Sequence, residues 1–310
     1  MIIPSPADLA GRYRISNGAR FRLKDINPSD PWGKRLKPIA DQMLKQSCKR
    51  MSELQERLYA QDRWSVLLLC QAMDAAGKDG TIKHVMSGVN PQGVEVHAFK
   101  APSSEELDHD FLWRTTRVLP RRGHIGIFNR SYYEETLVVR VHQNILARQQ
   151  LPRELVTKNI WRERFEDINA FERYLARNGV LIRKIFLHVS KDEQRERFLQ
   201  RLEKPEKHWK FSPADVGERA HFTEYMNAYE DVIRHTGTEW APWFVVPADR
   251  KWFARIVVSA IVVDAIQSLD PRFPEVDPKT RAEFKKTKAA LEAEVAQKKS
   301  KSTKARAQKK

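Results

Sequence analysis

The sequence predicts an α/β protein built on a parallel five-stranded sheet with helices on both faces. Three observations carry this. Short apolar runs recur at residues 64–70 (WSVLLLC), 93–99 (GVEVHAF), 124–128 (HIGIF), 180–189 (VLIRKIFLHV) and 243–248 (WFVVPA). Segments of helical periodicity separate them, so successive strands need crossovers and lie parallel. The loop after the first run is rich in small residues and opens a helix, which is where such sheets bind ligands.

The elements follow in order. Residues before about 36 have scattered Pro and Gly without a period and read as an irregular arm. Residues 38–63 place Leu44, Cys48, Met51, Leu54 and Leu58 three or four apart, predicting a helix. The continuous run 64–70 fits a strand buried on both faces. Gly77 and Gly80 break the chain after it, and TIKHVMSG begins a helix that stops at Gly88. In the second strand Val94, Val96 and Ala98 alternate inward. Residues 103–119 predict one helix, capped by Ser103 or Ser104 with acids in its first turn, and ended by Pro120 and Gly123. A helix over 151–178 closes at Gly179 before the fourth strand, and KDEQRERFLQRL and residues 220–234 give two more. The last strand leads into a helix over about 249–269. From Pro278 the sequence is low-complexity Lys/Ala, helical around 279–297 and partly disordered beyond. The expected divisions are an arm and helix (1–60), a central domain (61–270) and a basic tail (271–310).

A length of 310 residues with 41% hydrophobic content suits one large folded domain with appendages. No run approaches the roughly 18 apolar residues of a membrane helix. The start, MIIPSPADLAGRYRI, lacks the apolar core of a signal peptide. Cys48 and Cys70 make no disulfide framework, and Cys70, ending an apolar run, reads as a buried free thiol. We expect a cytoplasmic protein without a membrane partner. The net charge is +16, and the stretch from Lys285 to Lys310 carries ten cations against Glu292 and Glu294, half of that excess. The body is therefore basic as well and favours a polyanion: nucleic acid, lipid headgroups or polymeric phosphate.

The stretch QAMDAAGKDGTIKHV (residues 71–85) departs from the phosphate-loop pattern of Gly, four residues, then Gly-Lys-Ser/Thr at two positions: Ala72 replaces the first glycine and Asp79 the hydroxyl. The physics of phosphate binding survives. A strand-to-helix loop over Ala75, Ala76, Gly77, Asp79 and Gly80 points backbone amides at one concavity, and the helix start adds partial positive charge. Lys78 adds a full charge beside Gly77. Asp74, an acid inside the loop, needs a cation between itself and phosphate, which points to Mg²⁺ there. A second group, IGIFNRSYYEE, leaves the third strand on the same rim with Asn129, Arg130 and Ser131, where phosphoryl-transfer sites place a metal contact and a cation. Its alternative is a helix start capped by Asn129 or Ser131 with the tyrosines in the core.

Four stretches in order, MDAAGKDGTIKHVMSGVNPQGVEVHAFKAPSSEELDHDFLWRTTRVLP, RGHIGIFNRSYYEETLVVRVH, KHWKFSPADVGERAHFTEYMNAYEDVI and TEWAPWFVVPADRKWFARIVV, resemble the polyphosphate kinase 2 family over about residues 62–266. The resemblance implies a P-loop kinase, thymidylate-kinase-like three-layer fold with a helical lid. It also implies Mg²⁺-dependent transfer of phosphoryl groups between inorganic polyphosphate and nucleotides. By position it makes Asp74 and Lys78 the loop acid and lysine, and Asn129 and Arg130 the second motif, where many members have Asp for Asn129. Glu134 falls where the diphosphate-preferring subgroup has Asn, so acceptors are expected to be purine nucleoside mono- and diphosphates. The segment about 195–220 is expected as the lid. Its cations Arg197, Arg201, Lys204, Lys207 and Lys210, with Lys100, Arg114 and Arg117, are expected to meet polyphosphate. The family often forms dimers or tetramers, so a homo-oligomer is expected. The alternatives are an ATP-dependent nucleotide kinase, which needs Ser or Thr where Asp79 stands, and a basic nucleic-acid-binding protein, whose binding is steeply salt-dependent without turnover.

Overall fold

The structure is a computed structural model that describes residues 3–307 apart from residue 211; the side chains of residues 210, 214 and 295–307 are not described. By its contacts the chain divides into two units, Met1–Arg272 and Phe273–Lys310.

The first unit is built on one sheet of six strands: β1 (Arg14–Ile15), β2 (Ser65–Ala72), β3 (Val94–Ala98), β4 (Ile125–Asn129), β5 (Val180–His188) and β6 (Trp243–Pro247). Their spatial order is β1-β6-β5-β2-β4-β3. Every pairing is parallel except β1 on β6. After β2 the chain moves to one side, through β3 and β4, then crosses to the other, through β5 and β6. The carboxyl end of β2 therefore lies at the switch point where an open sheet leaves a crevice. β2 is central for a compositional reason: Val66, Leu67, Leu68 and Leu69 are at most 2% exposed, each burial contributing about 1.5–3 kcal/mol.

Helices cover both faces. α1 (Pro6–Gly11), α2 (Ala40–Gln61) and α3 (Lys78–Val85) lie with the late helix α12 (Lys251–Gln267). α12 is apolar around most of its circumference because neighbouring elements surround it. Between β3 and β4 stand two single turns, α4 (Ser104–Leu107) and α5 (Trp113–Thr116), and beyond β4 two more, α6 (Val138–Val141) and α7 (Gln143–Leu146). α8 (Ile160–Arg177) packs on β5 and on α11 (Phe222–Thr236). Between them run α9 (Lys191–Glu203), a turn at Pro205–Lys210 and α10 (Pro213–Gly217). The second unit holds α13 (Pro278–Ala307), whose start is capped by Asp277, accepting from the amides of Lys279 and Thr280.

Five differences from the sequence reading have physical causes. The sheet has six strands instead of five, because the two-residue β1 is too short to show a period. The arm before residue 36 also holds α1, opened by a capping box of Ser5 and Asp8. Val96 is 52% exposed and does not point into the core, since β3 is an edge strand. The segment 103–119 is not one helix. Asp110 accepts from the amide of Leu112 and breaks it, as a short polar side chain competing with the helix does. Likewise α8 begins only at Ile160, after Pro152 and an isolated turn at Arg153–Leu155.

Behind the sheet's working edge lies a buried charge network. Lys184 of β5 and Glu172 of α8 are both fully buried and 2.6 Å apart. The Lys184 ammonium also donates to the hydroxyl of Tyr133 (3.0 Å) and the carbonyl of Thr236 (2.6 Å). The Tyr132 and Tyr133 hydroxyls both donate to Glu172 (2.9 and 2.8 Å). All three ammonium protons are used, which lets this charge sit in the interior.

Candidate active site

The loop leaves β2 at Ala72, still paired with Leu187 of β5, so the missing glycine is not needed at that position. The unusual backbone falls later: Ala75 (φ +63°) and Gly77 (φ +97°) are left-handed. A side chain at Ala75 makes this conformation costly, and such strain gathers at functional sites. Lys78 is the first residue of α3, and the amide of Thr81 donates to the carbonyl of Gly77 behind it (3.0 Å). A helix start of this kind turns backbone amides toward the loop mouth, where an anion is favoured.

Facing the mouth, the turn after β4 delivers Arg130, itself left-handed (φ +66°). Its guanidinium lies 3.2 Å from Asp74 and 3.4 Å from Glu134. Burial works against the charge of Arg130, but Glu134 and Asp74 outweigh it and hold its pKa above the ordinary value. Burial, reinforced by Arg130, pulls the Lys78 pKa down, with Glu134 and Asp74 opposing. Gln71, fully buried on β2, donates to the other oxygen of Glu134 (2.9 Å). Asn129 donates its amide to Asp79 (2.9 Å). Beyond Arg130 stand Tyr225 and Tyr229 of α11, whose phenol pKa values rise; burial is the main cause for both, and Glu134 adds to it. The Asp215 pKa is also raised, by burial and then by Asp74.

The structure thus gathers Asp74, Ala75, Ala76, Gly77, Lys78, Asp79, Gly80, Asn129, Arg130 and Glu134 around one mouth. It does not gather all the other expected residues there. Ser131 is buried, and its hydroxyl accepts from the amide of Tyr133, so it caps the turn while the two tyrosines fill the core. Arg114 reaches the carbonyl of Lys100 (2.7 Å) and Glu106, with Glu134 acting on its charge through space. Lys100 enters this contact only through its backbone. Arg117 is exposed, lies over the Trp113 ring and pairs weakly with Glu105. Arg197, expected on the lid surface, is 3% exposed and lies beneath the loop. Five hydrogen bonds hold it there, because backbone carbonyls and Glu193 neutralise it instead of solvent or ligand. Arg201 stands 3.7 Å from Asp215, Lys204 is exposed and Lys207 half-buried. The side chain of Lys210 lies outside the described residues.

Among the described residues no three His, Cys, Asp or Glu side chains gather to hold a metal ion. Asp74 presents one part-exposed carboxylate at the mouth, and Asn129, donating its amide to Asp79, keeps its side-chain oxygen as an acceptor. That set fits a hard divalent cation held mainly by phosphate oxygens and water, as Mg²⁺ usually is.

Backbone amides and a lysine at a helix start, with an arginine alongside, are the means of a P-loop phosphotransferase. The family model described as Polyphosphate kinase 2 (PPK2) matches residues 37–274, and the chain belongs to that family. It is 48% identical over 280 residues to the ADP-polyphosphate phosphotransferase of Rhodopseudomonas palustris, covering 88% of this chain and 95% of that one. It is 44% identical over 273 residues to the AMP/ADP-polyphosphate phosphotransferase of Meiothermus ruber, covering 88% and 97%. The crystal structure of polyphosphate kinase 2 from Arthrobacter aurescens TC1 superposes with a TM-score of 0.79 at 38% identity, over 95% of this chain and 98% of that one.

Proposed function

We infer that this phosphotransferase exchanges phosphoryl groups between inorganic polyphosphate and purine nucleotides, accepts both mono- and diphosphates, and uses Mg²⁺. The observation that carries the inference is the convergence of Lys78, Arg130, Asp74 and Glu134 on one loop mouth, with a carboxylate at position 79. Transfer is in line and needs no covalent enzyme intermediate. The loop amides and Lys78 hold the transferring phosphates. Arg130, already poised between two carboxylates, turns its charge to the migrating group and offsets what develops there. Asp74 and Asn129 would hold the metal, whose contribution is to neutralise phosphate charge. Glu134, anchored by Gln71, sets the acceptor end. Relatives bearing the names AMP/ADP- and ADP-polyphosphate phosphotransferase support this acceptor range. The reverse direction is allowed, since each side exchanges one phosphoanhydride for another.

The segment 195–220 acts as the lid in this account, with Arg201, Lys204 and Lys207 meeting the polymer. Reversing the charge of Lys204 and Lys207 together is expected to raise KM for polyphosphate, and an unchanged KM would remove them from the polymer path. The enzyme works in the cytoplasm as a dimer or tetramer, and light scattering on the purified chain tests that assembly. The deciding experiment supplies long-chain polyphosphate and Mg²⁺, without ATP, to AMP, ADP, GMP and GDP. Formation of di- and triphosphates is expected. Turnover of diphosphates alone would narrow the acceptor range, and no turnover with any acceptor would remove the inference.

A further inference from the structure

The back of the phosphate loop is as fully engaged as its front is open. Two buried residues of α9, one turn apart, reach it: Gln194 (1% exposed) and Arg197 (3%). Gln194 donates to the carbonyl of Asp74 (3.0 Å). Arg197 donates through Nη1 to the carbonyls of Ala75 (3.2 Å) and Ala76 (2.6 Å). Its Nη2 reaches the carbonyls of Ala248 (2.6 Å) and Asp249 (3.1 Å), just beyond β6, and its Nε reaches Glu193 (2.7 Å). A guanidinium has five N–H groups, and these five contacts use them all, leaving none for a phosphate.

In a trans peptide the carbonyl and the following amide point in opposite directions. Holding the carbonyls of residues 74, 75 and 76 against α9 therefore turns the amides of residues 75, 76 and 77 away from it. The middle one closes a turn on the carbonyl of Met73 (3.1 Å). Among the described residues the outer two, of Ala75 and Gly77, have no protein acceptor. These are the amides a loop of this kind offers to phosphate. The side-chain amide of Gln194 is itself oriented. Arg219 donates to its oxygen (2.9 Å), so its nitrogen must face Asp74. Arg219 also donates to the carbonyl of Lys191 (2.9 Å), which ties the far end of the segment 195–220 to the root of α9.

We propose that Gln194 and Arg197 are positioning residues for phosphoryl transfer, fixing three successive peptide planes behind the loop so that the amides of Ala75 and Gly77 meet the transferring phosphate. The assignment rests on the phosphotransferase reading above. It departs from a polymer-contact role, because Arg197 has no free donor. Preorganised amides act on the charge of the transition state, whereas affinity for a long polymer is spread over many cations.

The test is steady-state kinetics with long-chain polyphosphate and AMP, alongside thermal unfolding of each variant. Gln194→Met is expected to lower kcat about tenfold and Arg197→Met about a hundredfold, with KM for polyphosphate within about twofold of wild type. Arg197→Lys, whose ammonium still reaches the Ala75 and Ala76 carbonyls, is expected to recover about tenfold of that loss. A polyphosphate KM that rises while kcat holds would make Arg197 a polymer contact and overturn the proposal. A lower melting temperature with kcat and KM both unchanged would leave it a fold residue only, and would overturn it equally. Should Arg197→Met not fold, Gln194→Met decides by the same split. Absence of turnover in the wild-type protein would instead refute the underlying phosphotransferase reading.

Discussion

One short turn after β4 carries two kinds of charge cluster, and they differ in how completely they are satisfied. Its middle residues, Tyr132 and Tyr133, face inward to Lys184 and Glu172, where every ammonium proton has an acceptor and no charge is exposed. Its flanking residues, Arg130 and Glu134, face outward with Asp74, at looser contacts of 3.2 and 3.4 Å and with roughly a quarter to two-fifths of each side chain exposed. The closed cluster has no capacity for a ligand and serves to hold the turn. The open one keeps donors and acceptors in reserve, which in the proposed function substrate completes. Saturation, more than charge, separates scaffold from reagent.

The largest effect that would break this contrast lies in the closed cluster. Lys184→Met leaves Glu172 buried without its counterion and is expected to cost about 3–5 kcal/mol of stability, read as a melting temperature lower by roughly 10 °C. Adding Glu172→Leu should return part of that stability, since a fully apolar replacement strands fewer charges. If Lys184→Met leaves the melting temperature unchanged, the closed cluster is not a scaffold.

In the open cluster, Glu134→Asn should leave stability within about 1 kcal/mol of wild type while shifting acceptor choice toward diphosphates about tenfold in the ratio of kcat/KM values. An unshifted ratio would free Glu134 from acceptor selection. A smaller effect concerns pH. Lys78 has a lowered pKa, so it is charged below that pKa and loses its proton earlier than an ordinary lysine as pH rises. The alkaline fall of kcat/KM, which reports the free enzyme, should therefore lie below the usual lysine range. The smallest effect is expected from the second unit: ending the chain after residue 277 should leave kcat unchanged, and a large loss would bring α13 into the catalytic account.

Much of this contrast was legible in sequence, for uneven reasons. Strands buried on both faces, such as β2, β5 and β6, announce themselves as apolar runs. β3 misled because Val94 and Val96 alternate correctly on an edge strand that leaves Val96 exposed. The strand-to-helix turn of the loop could be read despite Ala72 and Asp79, because Gly77 and the start of α3 at Lys78 remain. Arg197 was misplaced, since a run of cations looks the same whether solvent, ligand or backbone carbonyls neutralise it. A lysine within the apolar run of β5 was the available signal for the Glu172 pair, since a buried lysine must be partnered. Gln194 and Gln71 gave no signal of their own; their partners, Asp74 and Glu134, lie far away in sequence.

The most direct measurement compares wild type with Asp74→Ala in ADP formation from AMP and long-chain polyphosphate under Mg²⁺, with thermal unfolding run on the same samples. Turnover should fall about a thousandfold, some 4 kcal/mol of transition-state stabilisation, while the melting temperature stays within a few degrees. Undiminished turnover in that variant, or a loss of activity that merely follows a loss of fold, would contradict the assignment of the open cluster as the reacting site.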